Sequence, residues 1–139
     1  MAAEHSMPRA KLRIGFVSTR LGTTDGVSLE AEKWTTVLNR LGHQCFFFAG
    51  LCDRPPEVSY VVPEAHFTHP SIVHTNNVAY NSPTRPPELT RQIQELAQYL
   101  KQHLYTFTAK YDINMLIVEN ALAIPLNIPL GIAITEFIA

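Results

Sequence analysis

Compact apolar runs alternate along the chain with segments whose apolar positions recur at helical spacing. The run "KLRIGFVS" at 11–18 predicts a buried strand. Over 27–41 the apolar residues recur every three or four positions, which predicts a helix with Trp34 in the core and Gly42 as its stop. The run "HQCFFFAG" at 43–50 predicts a second strand. A strand, a helix and a strand in this order predict a crossover unit of a parallel sheet.

The second half of the chain opens with a proline-rich segment. Residues 50–86 predict a long loop system, with short extended pieces at 60–62 ("YVV") and 71–75 ("SIVHT"). The apolar stripe of "PPELTRQIQELAQYLKQHLYTFTAKY", 86–111, is the clearest helical pattern of the chain. "DINMLIVEN" at 112–120 predicts another buried strand, which ends in polar residues.

A final helix is predicted to begin between Pro125 and Pro129. The whole order predicts an α/β fold: a Rossmann-like three-layer α/β/α domain with a mostly parallel sheet. We assign this domain to 11–139 and a disordered lead-in to 1–10. The apolar "LGIAITEFIA" reaches Ala139 without a capping signal, so we expect the domain to be incomplete at its C-terminus and the chain to be a piece of a longer protein.

Composition and charge narrow the class of protein. Of the 139 residues, 46% are hydrophobic and 17% are charged, which is typical of a globular chain, and the net charge of −1 argues against a nucleic-acid partner. Cys45 and Cys52 form no disulfide framework, and Cys45 in its apolar run predicts a buried free thiol. No apolar run approaches the roughly 18 residues of a membrane span, and no signal peptide is recognisable. We therefore expect a cytoplasmic protein without a transmembrane segment.

The segment "STRLGTTDGVS" at 18–28 joins the first predicted strand to the first predicted helix. Ligands of open parallel sheets bind beyond the carboxyl ends of the strands, and a helix N-terminus attracts phosphate or carboxylate groups. Asp25 and Ser28 are suited to cap the helix, and Gly26 permits backbone conformations that other residues avoid and a close approach of a ligand. The candidate substrate- or phosphate-binding residues of this segment are Thr24, Asp25, Gly26, Val27 and Ser28. The alternative is a simple turn with a helix cap, although a bare connection needs only about 2 to 6 residues.

Three further candidates lie outside this loop. Glu119 and Asn120 end the late strand, where they either contact a substrate or cap the next turn. His74 is a candidate because "SIVHTNN" predicts a strand end at the binding cleft. Neither G-x-G-x-x-G nor G-x-x-x-x-G-K-[ST] occurs, so the dinucleotide and P-loop fingerprints are missing. No catalytic residue is assigned.

The histidines of the proline-rich segment raise a metal hypothesis. His66, His69 and His74 lie near Glu64, but their spacing matches no recognised ligand pattern. Metal-binding imidazoles also need oriented hydrogen-bond partners. We therefore predict no metal site.

The opening stretch "RIGFVSTRLGTTDGVSLEAEKWTTVLNRLGHQCFFFAG" resembles the N-terminal domain of retaining glycosyltransferases with the GT-B fold, of the glycosyltransferase family 4-like type. The pieces that match are the strand at 14–18, the "TDGVS" loop, the helix that ends before "GHQ", and the strand "FFFAG". "LIVENALAIPLNIPLGIAITEFI" looks like a later strand and helix of the same domain. Many members have two adjacent glycines in the loop, whereas this chain has Asp25 before Gly26.

The resemblance implies an enzyme with two Rossmann-like domains that face each other across a cleft. This chain would be the acceptor-binding half, and its partner would be a C-terminal nucleotide-sugar-binding domain of the same protein. The whole enzyme would transfer a sugar from a nucleotide-sugar donor to a small-molecule or glycan acceptor with retention of configuration. It would need no cofactor and no metal, and the isolated 139-residue chain would be inactive.

Two other classes of protein compete with this hypothesis. One is a standalone Rossmann-like module that binds a sugar phosphate or a partner subunit without catalysis. The other is a flavodoxin-like or response-regulator-like domain. A response regulator needs clustered acidic residues after its first strand and an aspartate at the end of its central strand. "FVSTR" and "VEN" do not supply them.

Overall fold

The computed structural model describes residues 11–22, 25–121 and 126–139, so the predicted lead-in at 1–10 lies outside the described residues. Short 3₁₀ turns occur at Pro56–Val58 and Pro63–Ala65, before and after the strand Ser59–Val61. The strands are β1 (Arg13–Ser18), β2 (Arg20–Leu21), β3 (Gln44–Ala49), β4 (Leu51–Cys52), β5 (Ser59–Val61) and β6 (Met115–Glu119). The helices are α1 (Gly26–Arg40), α2 (Pro70–Asn81), α3 (Pro87–Lys110) and α4 (Ile128–Ile138).

Four parallel strands form the main sheet in the order β5-β3-β1-β6. The chain runs outward from β1 through β3 to β5 and then returns to the far side of β1 to form β6. The strand order therefore reverses between β1 and β6. The short strands β2 and β4 pair with each other in parallel just beyond the carboxyl ends of β1 and β3. The prediction of an α/β fold with a mostly parallel sheet is confirmed.

Helices cover both faces of the sheet. On one face Ile14 and Phe16 of β1 pack with Ala31 of α1. On the other face Val17 packs with residues of α3 and α4, such as Leu104 and Leu130. This alternation follows from the period of two along a strand that is covered on both sides.

The helix predicted at 86–111 is confirmed as α3, and the final helix begins at Ile128, inside the predicted window. Asn127 caps α4, because its side-chain oxygen accepts a hydrogen bond from the backbone N–H of Leu130 at 3.0 Å. Cys45 is buried and unpaired as predicted, and burial raises the pKa of its thiol.

The prediction of an extended piece at 71–75 is wrong, because these residues belong to α2. Pro70 is the first residue of that helix, where its missing N–H costs no hydrogen bond. His69 caps α2, since its ring nitrogen Nδ1 accepts from the backbone N–H of Ser71 at 3.3 Å. Ile72 and Thr75 are buried on one face of the helix. Packing thus overrides the β propensity of these residues. The other predicted extended piece, 60–62, is confirmed as β5, which begins and ends one residue earlier.

The prediction that Trp34 lies in the core is also wrong, since half of its surface is exposed (50%). The inward stripe of α1 consists of Ser28, Ala31, Thr35 and Leu38, of which only the first two are fully buried. The buried hydroxyl of Ser28 accepts a hydrogen bond from the backbone N–H of Gly22 at 2.9 Å. This contact holds Ser28 on the inner side of α1, and the tryptophan lies on the outer side of the helix.

Within the described ranges, no helix is both long enough and apolar enough to cross a membrane.

Candidate functional site

A cavity of about 380 Å³ lies at the carboxyl ends of β1 and β6, where the strand order reverses. This position is where open α/β sheets bind their ligands. Its lining consists of Ser18, Thr19, Arg20, Asp25, Gly26, Val27, Phe67, Asn120 and Leu126. We call this cavity the crevice. It brings together four of the candidates that the sequence predicted, namely Asp25, Gly26, Val27 and Asn120.

Asp25 caps α1, as the sequence predicted. Its Oδ1 accepts from the backbone N–H of Ser28 at 2.9 Å, and its Oδ2 accepts from Nε of Arg20 at 3.2 Å. The capping carboxylate therefore has a cation at its side, which offsets part of its negative charge. Ser28 itself is buried beneath the loop and does not line the crevice. Its hydroxyl bonds to Gly22 and so holds the loop in place, and its predicted contact with a ligand stays a prediction.

Gly26 is the first residue of α1, and because it has no side chain it leaves open space in the crevice. Gly26 does not use the backbone freedom that glycine permits, because among the described glycines a positive φ occurs at Gly42 and not at Gly26. A Cβ built on Gly26 would meet no atom within 4 Å. The glycine thus leaves open room above the N-terminal turn of the helix, and a helix N-terminus attracts negative charge.

Sequence reasoning did not single out Arg20 and Phe67 as site residues. The guanidinium carbon of Arg20 lies 5.5 Å from the centre of the Phe67 ring, a cation–π arrangement that holds the cation at the wall of the crevice. Arg20 could have been predicted from the sequence, because it belongs to the 18–28 segment and a cation beside a predicted anion site is a candidate ligand contact. Phe67 had no such signal, since it comes from the proline-rich segment 50–86.

Phe67 reaches the crevice because two backbone segments touch. A Cβ on Gly50, at the end of β3, would lie 2.1 Å from the backbone nitrogen of His66. Only a residue without a side chain allows this approach, and it brings the His66–Phe67 step against the end of the sheet. His66 Nδ1 accepts from the backbone N–H of Thr68 at 3.0 Å, so the turn is closed by a local bond.

Asn120 and Glu119 end β6 in different surroundings. Asn120 has φ of 59°, a left-handed conformation that asparagine tolerates better than most residues, and it borders the crevice. Glu119 lies in register with Ser18 but does not line the crevice. Burial, and to a lesser degree the nearby charge of Glu30, raise the pKa of the Glu119 carboxyl. Its contact with a substrate stays a prediction.

His74 lies away from the crevice. Because its segment is helical, the expectation of a strand end at the cleft is wrong, and His74 instead lines a second cavity of about 450 Å³ between α2 and α3. Thr24 lies outside the described residues. In the part of the chain that the structure describes, no three His, Cys, Asp or Glu side chains come together in a way that holds a metal ion.

Comparison with known proteins adds an independent observation. The chain is 26% identical over 128 residues, 91% of its length, to mannosylglucosylglycerate synthase of Petrotoga mobilis, and it spans 29% of that protein. It is 34% identical over 65 residues, 47% of its length, to the mannosylglucosylglycerate synthase of Thermotoga maritima, of which it spans 15%. No protein-family model and no solved structure matches the chain. The chain is therefore similar to part of two synthases of the same name, and its crevice lies in the region that the longer alignment covers.

Proposed function

We propose that this chain is the N-terminal, acceptor-side half of a glycosyltransferase of the GT-B type. The whole protein transfers a sugar from a nucleotide-sugar donor to an acceptor with retention of configuration. One observation carries the proposal: the similarity to two enzymes named as synthases of a glycoside extends over 91% of this chain in the longer alignment. The crevice at the β1–β6 reversal supports it, because that position suits a ligand.

The chemistry of the crevice suits the phosphate side of such a donor. The N-terminus of α1 and the guanidinium of Arg20, which is paired with Asp25, offer partial positive charge, and Gly26 leaves room for a phosphate to come close. In sugar transfer the leaving diphosphate gains negative charge, so fixed positive groups stabilise the transition state. These groups supply that charge without a resident metal ion. The nucleotide itself is bound by a C-terminal domain of the same protein in this proposal, so the 139-residue chain alone is inactive.

The test uses the full-length gene product and a panel of nucleotide sugars, with the anomeric configuration of the product determined by NMR. The informative variant is Gly26→Val, which places a side chain in the open space of the crevice. A misplaced substrate costs about 100-fold in rate, so we expect kcat/KM to fall by about that factor. The matched control is Thr36→Val, which places the same residue on the exposed side of the same helix. We expect it to retain activity, and both variants to unfold at the temperature of the native protein.

Two results would contradict parts of the proposal. Full activity of Gly26→Val would show that the crevice does not take part in the reaction, while the transfer itself would stand. Absence of transfer with every donor, together with phosphate binding that Gly26→Val abolishes, would instead support the standalone module that binds a sugar phosphate.

A further inference from the structure

The cavity between α2 and α3 is separate from the crevice and differs from it in charge, because the crevice has an arginine beside its carboxylate. Its volume is about 450 Å³, and its polar lining includes Glu64, Ser71, His74, Gln92, Glu95 and Tyr99. Neither lysine nor arginine lines it among the described residues. Two carboxylates without a cation at the wall repel a phosphate or a carboxylate. They accept hydrogen bonds well from hydroxyl groups.

The remaining lining suits one face of a sugar ring. Gln92 offers both a donor and an acceptor, and His74 adds a ring nitrogen. Leu96 and the ring of Tyr99 provide apolar surface for C–H groups. A concave site with apolar surface and a few convergent polar groups is typical of small-molecule binding.

Hydrogen bonds hold the walls of the cavity in position. The side chain of Asn127 donates to the backbone oxygen of Glu64 at 2.9 Å, and the side chain of Asn76 on α2 donates to that of Leu126 at 2.9 Å. Partial burial, followed by a hydrogen bond to the Glu64 carboxylate, raises the pKa of the Tyr99 hydroxyl. The Glu64 turn and α2 are therefore both tied to the segment 126–127, and Leu126 also borders the crevice.

We propose that the cavity between α2 and α3 binds a neutral, hydroxylated pyranose ring of the acceptor. The assignment to the acceptor rests on the proposed function, since the crevice is then occupied by the phosphate side of the donor. The two cavities differ in charge: the crevice has Arg20, which is paired with Asp25, and a helix N-terminus, whereas this cavity has Glu64 and Glu95 without a lysine or arginine in its lining. An acceptor with an acidic group would direct that group away from the two glutamates.

The test compares three pyranoses of similar size on the full-length protein by saturation-transfer difference NMR. The probes are methyl α-D-glucopyranoside (neutral), glucuronate (anionic) and glucosamine (cationic). We expect the neutral glycoside to bind and glucuronate to bind about tenfold more weakly, because one more negative charge faces the two carboxylates.

A charge-neutral variant identifies the site. Glu95→Gln removes one of the two carboxylates, so we expect it to reduce the difference in affinity between the neutral glycoside and glucuronate. The matched control is Glu32→Gln, which removes a carboxylate from the exposed side of α1, outside the cavity. We expect it to leave the ratio of the two affinities unchanged.

Each contrary outcome has a definite meaning. Binding of glucosamine without binding of the neutral glycoside would show a site for an ammonium group and would overturn the proposal. The proposal would also be overturned if glucuronate bound as tightly as the neutral glycoside, if both variants changed the ratio of the two affinities equally, or if none of the probes bound. If the protein transfers sugar but fails this test, the inference fails and the proposed function stands. If the glycoside binds with the expected charge dependence but no donor supports transfer, the proposed function fails.

Discussion

Gly50 is the point at which a single methyl group should damage the fold. A Cβ on this residue would lie 2.1 Å from the backbone nitrogen of His66 and 2.5 Å from its Cα. Ordinary contact begins at 3.4 Å, so Gly50→Ala forces the two backbone segments apart by about 1.3 Å. The clash is with backbone, so no side-chain rotation relieves it.

The cost of this change follows from the kind of contact. Overpacking a well-packed site costs about 1–3 kcal/mol, and we expect the upper end because the backbone itself must move. With a urea m-value of about 1–3 kcal/mol/M, the midpoint of unfolding falls by about 1 M or more. The matched control is Gly26→Ala, whose new methyl group meets open space. Its free energy of unfolding should stay the same or rise by at most about 1 kcal/mol.

The assay is urea unfolding of both variants and the native protein, followed by circular dichroism. A midpoint for Gly50→Ala equal to that of the native protein would refute the close approach of His66 to the end of β3. The position of Phe67 in the crevice would then lack its physical cause, since that approach is what brings the ring to the end of the sheet.

Two further predictions concern single side chains. Glu119 has a raised pKa in the folded state, so the folded chain holds its proton more tightly than the unfolded chain does, and the resulting stability is lost as the pH rises through that pKa. Glu119→Gln should therefore raise the free energy of unfolding at neutral pH and leave it unchanged below about pH 4. Urea unfolding at the two pH values measures this difference. An equal effect of the substitution at both pH values would contradict the burial of the carboxyl. Trp34, the single tryptophan, is half exposed, so iodide should quench its fluorescence readily in the folded chain, and protection close to that of a buried indole would contradict the orientation of α1.

The elements that the sequence predicts best are those with a long, uninterrupted pattern. The stripe of α3 continues through 24 residues, and its start and end fall within a residue of the prediction. The strands β1, β3 and β6 are apolar runs that leave little choice of structure. By contrast, α2 contains β-branched residues in a proline-rich setting, and its helical state depends on packing that no local pattern records.

Periodicity also does not determine how a helix is rotated on the sheet. In α1 the stripe with Trp34 is the more apolar one, yet the stripe that faces inward contains Ser28, whose buried hydroxyl is bonded to Gly22. The same limit applies to the crevice. Asp25, Gly26 and Asn120 follow from the rule that loops at the carboxyl ends of parallel strands meet. Phe67 enters through a contact between distant backbone segments, which the sequence does not reveal.

The pairing of β2 with β4 changes how binding at the crevice should be understood thermodynamically. Arg20 lies in β2, whose backbone is hydrogen-bonded to the neighbouring strand β4. The N–H of Asp53 donates to the carbonyl of Leu21 at 3.0 Å, and the N–H of Gly50 donates to the carbonyl of Thr19 at 2.9 Å. A ligand therefore meets a wall whose main chain is already ordered, and it does not have to offset the conformational entropy of fixing a free loop. Selectivity at this wall then depends on shape and charge, and the amide protons of Gly50 and Asp53 should exchange with solvent as slowly as those of a sheet.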